Sequence, residues 1–198
     1  FRWTATGENV IRNSLGRGGE PGHAGHIHRP YLHRASGIRL FGRDDTLSDL
    51  IGFTYSDWHA DDAVSNLIHR LETIVKGRQP GEDLVISIIM DGENAWEYYP
   101  ENGYYFISAL YQRLSSHPVI RLATYSEVIG SHEPREIKSL VAGSWVFGNF
   151  STWIGDKDKN RAWDILCDAK RVYDEVMRDR PPDERQREMI ERQLAACE

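Results

Sequence analysis

The stretch LVISIIMDGENAWEYY, Leu84–Tyr99, joins an apolar run directly to a group of acids and aromatic rings. Its first part, LVISIIM, predicts a buried β-strand because it is short, apolar and rich in Ile and Val. Gly92 permits a tight turn immediately after that strand. We therefore expect Asp91 at the carboxyl end of a strand, which is where α/β proteins place their functional sites.

Similar strand patterns recur on both sides of this stretch. Predicted helices at about residues 60–76 and 101–116 separate them, and the first of these carries an apolar face and ends at Gly77. Strands that alternate with helices predict an α/β fold with a parallel sheet or barrel. The other predicted strands are FRWTAT, Phe1–Thr6, LIGFTYS, Leu50–Ser56, and VIRLAT, Val119–Thr124.

The character of the chain changes near residue 143. Residues 143–155, GSWVFGNFSTWIG, are dense in aromatic residues and glycine, and two helices are predicted at about 159–178 and 183–197. We expect residues 1–142 to form a β/α layer, and residues 143–198 an aromatic loop and the start of a helical C-terminal region. Residues 16–37, which are rich in Gly, Pro and His, predict a long loop.

Composition excludes several classes of protein. The 198 residues carry a formal net charge of −6, and their Lys and Arg side chains are scattered, so nucleic acid is not an expected partner. The two cysteines suggest a reducing compartment, with the cytoplasm as the default. No run approaches the roughly 18 apolar residues of a membrane span, so we expect no membrane partner.

Two acids follow predicted strands and are candidates for catalysis. Glu8 follows the first strand, and Asp91 follows LVISIIM. A pair of carboxyl groups at neighbouring strand ends is what glycoside hydrolysis requires, one as nucleophile or base and one as acid. The alternative is that each acid is a solvated loop residue or a helix N-cap.

Aromatic residues near these acids suggest a sugar-binding surface. Trp96 is a candidate flat wall for a sugar ring, and Glu93 a candidate hydrogen-bonding partner for hydroxyl groups. Trp145 and Trp153 predict an exposed platform that a polysaccharide would cover. The alternative for these rings is packing in the core or against the C-terminal helices.

Four histidines in the predicted loop raise the question of a metal site. They lie at H-x2-H-x-H spacing with one more histidine beyond: His23, His26, His28 and His33. Metal ligands need fixed geometry and support from a second layer of residues, which a Gly-rich loop offers poorly. We interpret them as surface histidines and expect neither a metal nor a cofactor.

Several segments together resemble glycoside hydrolase family 57, the α-amylase, amylopullulanase and 4-α-glucanotransferase group. The resemblance reaches about residue 175 and implies part of an irregular seven-stranded β/α barrel followed by C-terminal helices. It implies that Glu8 is the nucleophile, that Asp91 is the acid/base, and that Asn149 binds substrate. The segments are WTATGENVIRNSL, Trp3–Leu15, LSDLIGFTYSDW, Leu47–Trp58, MDGENAWEYY, Met90–Tyr99, and AGSWVFGNFSTWIGDKDKNRAW, Ala142–Trp163.

Two departures from the family pattern accompany this resemblance. Gly7 stands where the nucleophile segment commonly has Asp, and the family's upstream His-containing segments are absent. The N-terminal remainder of the barrel is therefore expected to be missing, and the chain alone to be poorly active.

The predicted function is retaining hydrolysis of α-glucans, amylase-like or amylopullulanase-like, with transfer to a sugar acceptor as a variant. Two alternatives are a metal-dependent α-mannosidase-like hydrolase and a non-catalytic α-glucan-binding protein.

Overall fold

The computed structural model describes residues 1–18 and 27–197, which form two compact units, Phe1–Asn149 and Phe150–Glu198. The first unit contains four strands and five α-helices among these residues, and the second contains two α-helices. The elements of the first unit are β1 Trp3–Thr6, α1 Glu8–Arg17, β2 Tyr31–His33, β3 Ile38–Gly42, α2 Asp45–Asp49, α3 Ala60–Lys76, α4 Tyr104–Ser115, α5 Tyr125–Ser131 and β4 Arg135–Ile137. Those of the second are α6 Lys157–Asp179 and α7 Glu184–Cys197.

The strands form one mixed sheet in the order β1-β3-β2-β4. The pairs β1 with β3 and β2 with β4 are parallel, whereas β2 and β3 are antiparallel. The α/β class is thus confirmed, but the described residues do not show a barrel. An apolar cluster lies against this sheet and is formed by Ile11, Leu15, Tyr31, Leu40 and Ile137.

The parallel pairing of β1 with β3 positions the candidate site. Thr6 at the end of β1 is in register with Gly42 at the end of β3. The residues that follow, Gly7 and Arg43, therefore leave the sheet at the same edge, and the Arg43 N–H donates to the Thr6 carbonyl at 2.9 Å. The strand predicted at residues 1–6 is confirmed as β1.

The prediction of a strand at Leu50–Ser56 is wrong. The chain instead continues from α2 through a π-helical turn, Leu50–Thr54, and a 3-10 turn, Tyr55–Asp57. Leu47, Ile51 and Tyr55 are all buried, and their spacing of four residues places them on one helical face. This helical period outweighs the local β-propensity of the aromatic and β-branched residues.

The prediction of a strand at Leu84–Met90 is also wrong. One parallel bridge pairs Arg43 with Ser87, but no ladder extends from it. Val85 donates its N–H to the His28 carbonyl and Ser87 accepts from the Asp44 N–H, both at 2.9 Å. Ile89 bonds to side chains instead, because its N–H donates to Ser48 Oγ at 3.1 Å and its carbonyl accepts from Arg43 Nε at 2.9 Å. The segment at Val119–Thr124 likewise forms no strand, and Thr124 at its end caps α5.

The predicted helices are confirmed. The predicted range 60–76 matches α3, and the range 101–116 is filled by a 3-10 turn, Pro100–Gly103, followed by α4. The two helices share the main core, which includes Val64, Leu67, Leu71, Phe106 and Leu114. The predicted loop at 16–37 is partly wrong, since α1 extends to Arg17 and β2 lies inside it.

The second unit is a helical pair, as predicted for the C-terminal part. Tyr173 on α6 donates to Glu191 on α7 at 2.6 Å, and Arg187 donates to the same carboxylate at 2.7 Å. Among the described residues, no helix combines the length and apolar character that a membrane span requires. The predicted change of domain near residue 143 stays a prediction.

Candidate active site

A cleft of about 620 Å³ opens at the edge where β1 and β3 end. The chain segments that follow these two strands contribute one side of its wall. The turn after Leu84–Met90, the helical turns around Gly52–Asp57 and the loop around residue 145 contribute most of the rest. The wall includes Thr6, Gly7, Arg43, Asp91, Tyr98 and Trp145.

Glu8 begins helix α1 directly after the cleft residue Gly7. Its side chain is 17% exposed, and its carboxylate accepts from Arg12 Nε at 2.7 Å through Oε1. Oε2 accepts from the backbone N–H of Asp45 at 3.3 Å. A negative charge in the first turn of a helix is favoured by the helix dipole. Glu8 is thus an oriented carboxylate directly after a cleft residue, outside the set of described residues that line the cleft, and its catalytic role stays a prediction.

Asp91 lies in the wall of the same cleft and is exposed. The backbone two residues before it is fixed on both sides, because the N–H and the carbonyl of Ile89 bond to Ser48 Oγ and Arg43 Nε. The structure therefore brings Asp91 and the residue adjoining Glu8 to one opening, although they lie far apart in the sequence.

Arg43 connects the two sides of the cleft and was missed by the sequence analysis. Its side chain is 10% exposed, and it donates to Asp45 at 2.8 Å and to Asp49 at 2.6 Å. Burial alone would lower the pKa of Arg43, but the hydrogen bonds to Asp49 and Asp45 outweigh it and raise that pKa. The signal in the sequence was an Arg-Asp-Asp triplet directly after the apolar strand IRLFG.

Asp45 links this arginine to Glu8. Burial raises the pKa of Asp45, and the nearby charges of Glu8 and Asp49 raise it further, while the bond from Arg43 acts in the opposite direction. The backbone N–H of Asp45 bonds to Glu8 and its carboxylate bonds to Arg43. One residue thus couples the predicted nucleophile electrostatically to the buried guanidinium.

Trp145 reaches the cleft because its loop packs closely on the start of α1. A Cβ atom added to Gly7 would lie 2.5 Å from the Trp145 Cα, so only glycine allows this approach. Farther along the loop, Gly148 has φ +67, and a Cβ there would lie 2.6 Å from Asn9 Cβ. The Trp145 ring faces the Arg43 guanidinium, with 5.3 Å from Cζ to the ring centroid.

The model for glycosyl hydrolase family 57 matches residues 1–142. The chain belongs to this family. The match covers both candidate acids, the Arg43 region and the sheet. The family resemblance that the sequence suggests is therefore confirmed, and no curated protein matches the chain.

Solved structures of family 57 enzymes share the fold at low sequence identity. A branching enzyme from Pyrococcus horikoshii matches with a TM-score of 0.72 and 16% identity, over 93% of this chain and 40% of that chain. A 4-α-glucanotransferase from Thermococcus litoralis matches with a TM-score of 0.59 and 20% identity, over 89% of this chain and 26% of that chain. An α-amylase from Thermotoga maritima matches with a TM-score of 0.62 and 15% identity, over 92% of this chain and 45% of that chain. The chain thus spans less than half the length of each.

Of the three aromatic residues after Asp91, Tyr98 lines the cleft of this family 57 chain. Its side chain is 80% exposed, and Phe53, on the π-helical turn, is a second exposed ring in the wall. Trp96 instead packs against Tyr99 and Phe106, with ring centroids 5.3 and 6.1 Å apart. The packing places Trp96 on the core side, as in the alternative that the sequence left open.

The other predicted binding residues lie elsewhere. Glu93 and Asn149 are exposed and lie outside the set of described residues that line the cleft. Asn149 donates from Nδ2 to the Phe147 carbonyl at 3.4 Å. Trp153 belongs to the second unit, where its carbonyl accepts from Trp163 Nε1 at 3.1 Å. Their roles in binding stay predictions.

The described histidines of the predicted loop have protein partners. His28 is buried, with Nε2 2.8 Å from Asp44 Oδ2, and His33 Nδ1 lies 2.9 Å from Ser36 Oγ. His23 and His26 lie outside the described residues. Within residues 1–18 and 27–197, no three His, Cys, Asp or Glu side chains are grouped as metal ligands. The interpretation of His28 as a surface histidine is wrong, because it forms a buried pair with Asp44.

Proposed function

We propose that this cleft binds α-glucans and cleaves their glycosidic bonds with retention of configuration. The observation that supports this best is that Asp91 lines the cleft and that Glu8 directly follows Gly7, which lines the same cleft. Family membership supports a glycosidic reaction, and the activities named for the similar structures support α-glucans as the substrate class.

In the proposed reaction, Glu8 attacks the anomeric carbon while protonated Asp91 gives its proton to the departing glycosidic oxygen. A covalent bond forms between Glu8 and the sugar as the glycosidic bond breaks. Asp91, now a carboxylate, then takes a proton from water or from an acceptor hydroxyl, which attacks the same carbon and releases Glu8. A retaining enzyme needs about 5 to 5.5 Å between the two carboxyl groups when substrate is bound.

The exposed rings in the cleft wall would hold the glucan. Trp145, Tyr98 and Phe53 present flat apolar faces that suit the carbon–hydrogen faces of sugar rings. Asp57 and Asn94 lie in the same wall and offer hydrogen-bonding groups to hydroxyls. We expect the choice between water and sugar as acceptor to depend on how far such rings shield the glycosyl intermediate from water.

Azide rescue in the complete natural polypeptide that carries this chain tests the two roles separately. A substrate with a reactive leaving group is turned over by Glu8→Ala and by Asp91→Ala in the presence of azide. For an α-retaining enzyme, Glu8→Ala should give the β-glycosyl azide and Asp91→Ala the α-glycosyl azide, because only the first lacks the covalent intermediate. Glu97→Ala, an exposed acid in the same wall, is the matched control and should need no azide. Full turnover by Glu8→Ala without azide would refute the proposal.

A further inference from the structure

We propose that Arg43 is a positioning residue of the reaction, whose guanidinium holds the Asp91 and Glu8 sides of the cleft in one geometry. The expected effect of Arg43 on turnover rests on the proposed function. The structural content of the inference rests on the contacts of Arg43 to Ile89, Asp45 and Trp145.

The first contact fixes the Asp91 side. Arg43 Nε donates to the Ile89 carbonyl at 2.9 Å, two residues before Asp91 and beyond Ser87, where the backbone bridge to Arg43 ends. The opposite group of Ile89, its N–H, is held by Ser48 Oγ. Without the guanidinium, the backbone leading into Asp91 would keep the Ser48 bond but lose the bond on the other side.

The second contact reaches the Glu8 side through one intermediate residue. Arg43 Nη1 donates to the carboxylate of Asp45, and the backbone N–H of Asp45 donates to Glu8 Oε2. The same guanidinium therefore restrains the backbone before Asp91 and the residue that binds the Glu8 carboxylate. A displacement of Arg43 would change the separation of the two acids from both sides.

The third contact shields the guanidinium on the cleft side. The Trp145 ring lies over Arg43 with 5.3 Å between Cζ and the centroid, which is within the range of a cation–π interaction. Trp145 is itself held by the packing of its loop on Gly7. Arg43 is thus confined by fixed neighbours and presents its donors in a defined plane.

Lysine cannot replace this arrangement. Arginine presents its donors in a rigid planar fork, and here Nε, Nη1 and Nη2 serve three different acceptors on Ile89, Asp45 and Asp49. A lysine ammonium on a flexible stem would keep the charge but lose the fixed directions. The substitution Arg43→Lys therefore separates charge from geometry.

The first readout is turnover of an α-glucan by the complete natural polypeptide. Arg43→Lys should lower kcat and kcat/KM together by about a hundredfold, because a shift of about 1 Å at the acids has an effect of that order. In Arg43→Ala, added guanidinium ion should restore part of kcat. The matched control Arg113→Lys, whose guanidinium joins α4 to Ser65 on α3, should keep the parental kcat.

The second readout is hydrogen exchange, which does not depend on activity. Arg43→Lys should raise exchange in the peptide covering residues 88–94, whereas Leu71→Ala, which lowers the unfolding midpoint from the core of α3, should not raise it selectively. Unchanged exchange in Arg43→Lys, or a loss of kcat that only tracks the unfolding midpoint, would overturn the inference. An inactive parent would refute the proposed function, and exchange at residues 88–94 would still decide the role of Arg43.

Discussion

Replacing Gly7 with alanine tests the packing that brings Trp145 to the cleft. Gly7 has φ −63 and ψ 149, which any residue adopts, so the substitution acts through its added Cβ alone. That atom would lie 2.5 Å from Trp145 Cα, which is about 1 Å short of an ordinary carbon–carbon contact of about 3.5 Å. The loop must therefore shift by about 1 Å or the helix start must move.

The magnitudes of the effects follow from this geometry. Overpacking of this kind costs about 1–3 kcal/mol in the free energy of unfolding. Gly7→Asp, which restores the residue common in the family's segment, would improve the N-cap of α1 by only a few tenths of a kcal/mol over glycine. The steric cost exceeds that gain, so we expect both variants to be destabilised and to lose kcat by about a hundredfold.

Urea unfolding followed by circular dichroism, together with glucan turnover, measures both effects. Gly16→Ala is the matched control, because it lies in the same helix and its Cβ would meet nothing within 4 Å. It should gain about 0.5–1 kcal/mol from the better helix former and keep its turnover. If Gly7→Ala unfolds at the parental urea concentration with parental kcat, the close approach of the Trp145 loop to α1 is refuted.

Three further predictions concern the cleft wall and the core. Tyr98→Ala should weaken glucan binding about tenfold, because covering about 50 Å² of ring at about 25 cal/mol per Å² is about 1.3 kcal/mol; calorimetric Kd values unchanged from the parent would contradict it. Burial would raise the pKa of Asp44, but the hydrogen bonds to His28 and the Leu47 N–H outweigh it and lower that pKa. The Asp44 carboxylate therefore stabilises the fold at pH values above the ordinary pKa of 3.8, and this stabilisation is lost as the pH falls through the lower pKa of the folded protein. Asp44→Asn should therefore be less stable than the parent at neutral pH, with urea midpoints converging at the acid end; a constant difference would argue against this. Tyr99→Phe should lose about 1 kcal/mol of unfolding free energy, since the buried 2.5 Å bond to the Ile51 carbonyl is removed, and an unchanged thermal midpoint would speak against that bond.

Helices α3, α4, α6 and α7 were predicted from sequence because their apolar pattern repeats over several turns, whereas the shorter helices α1, α2 and α5 were not predicted. In α3 the residues Val64, Leu67 and Leu71 mark one face over about two turns, and a glycine ends the helix. At Leu50–Ser56 the apolar residues also follow a helical spacing, but its first buried residue is Leu47, which lies before the segment that was predicted as a strand. Short apolar segments do not separate strand from helix by composition alone.

The site could be predicted in part. Glu8 and Asp91 are candidates because each acid follows a predicted strand, and Asp91 lines the same cleft as Gly7, the neighbour of Glu8, although their roles stay predictions. Arg43 was missed because its importance lies in long-range contacts to Ile89 and Trp145, which no local pattern records. The sequence does not tell which of Trp96 and Tyr98 faces the cleft, because that depends on which ring packs into the core.

The measurement that tests the central claim most directly is the identification of the residue that bonds to the sugar. A fluorinated glucosyl fluoride that forms the glycosyl-enzyme but breaks it down slowly would be incubated with the complete polypeptide, and the labelled peptide identified by mass spectrometry. We predict a single glucosyl adduct on Glu8, which is absent from Glu8→Gln. A label on any other residue, or turnover of a natural α-glucan to a product of inverted configuration, would contradict the assignment of this cleft as a retaining active site with Glu8 as its nucleophile.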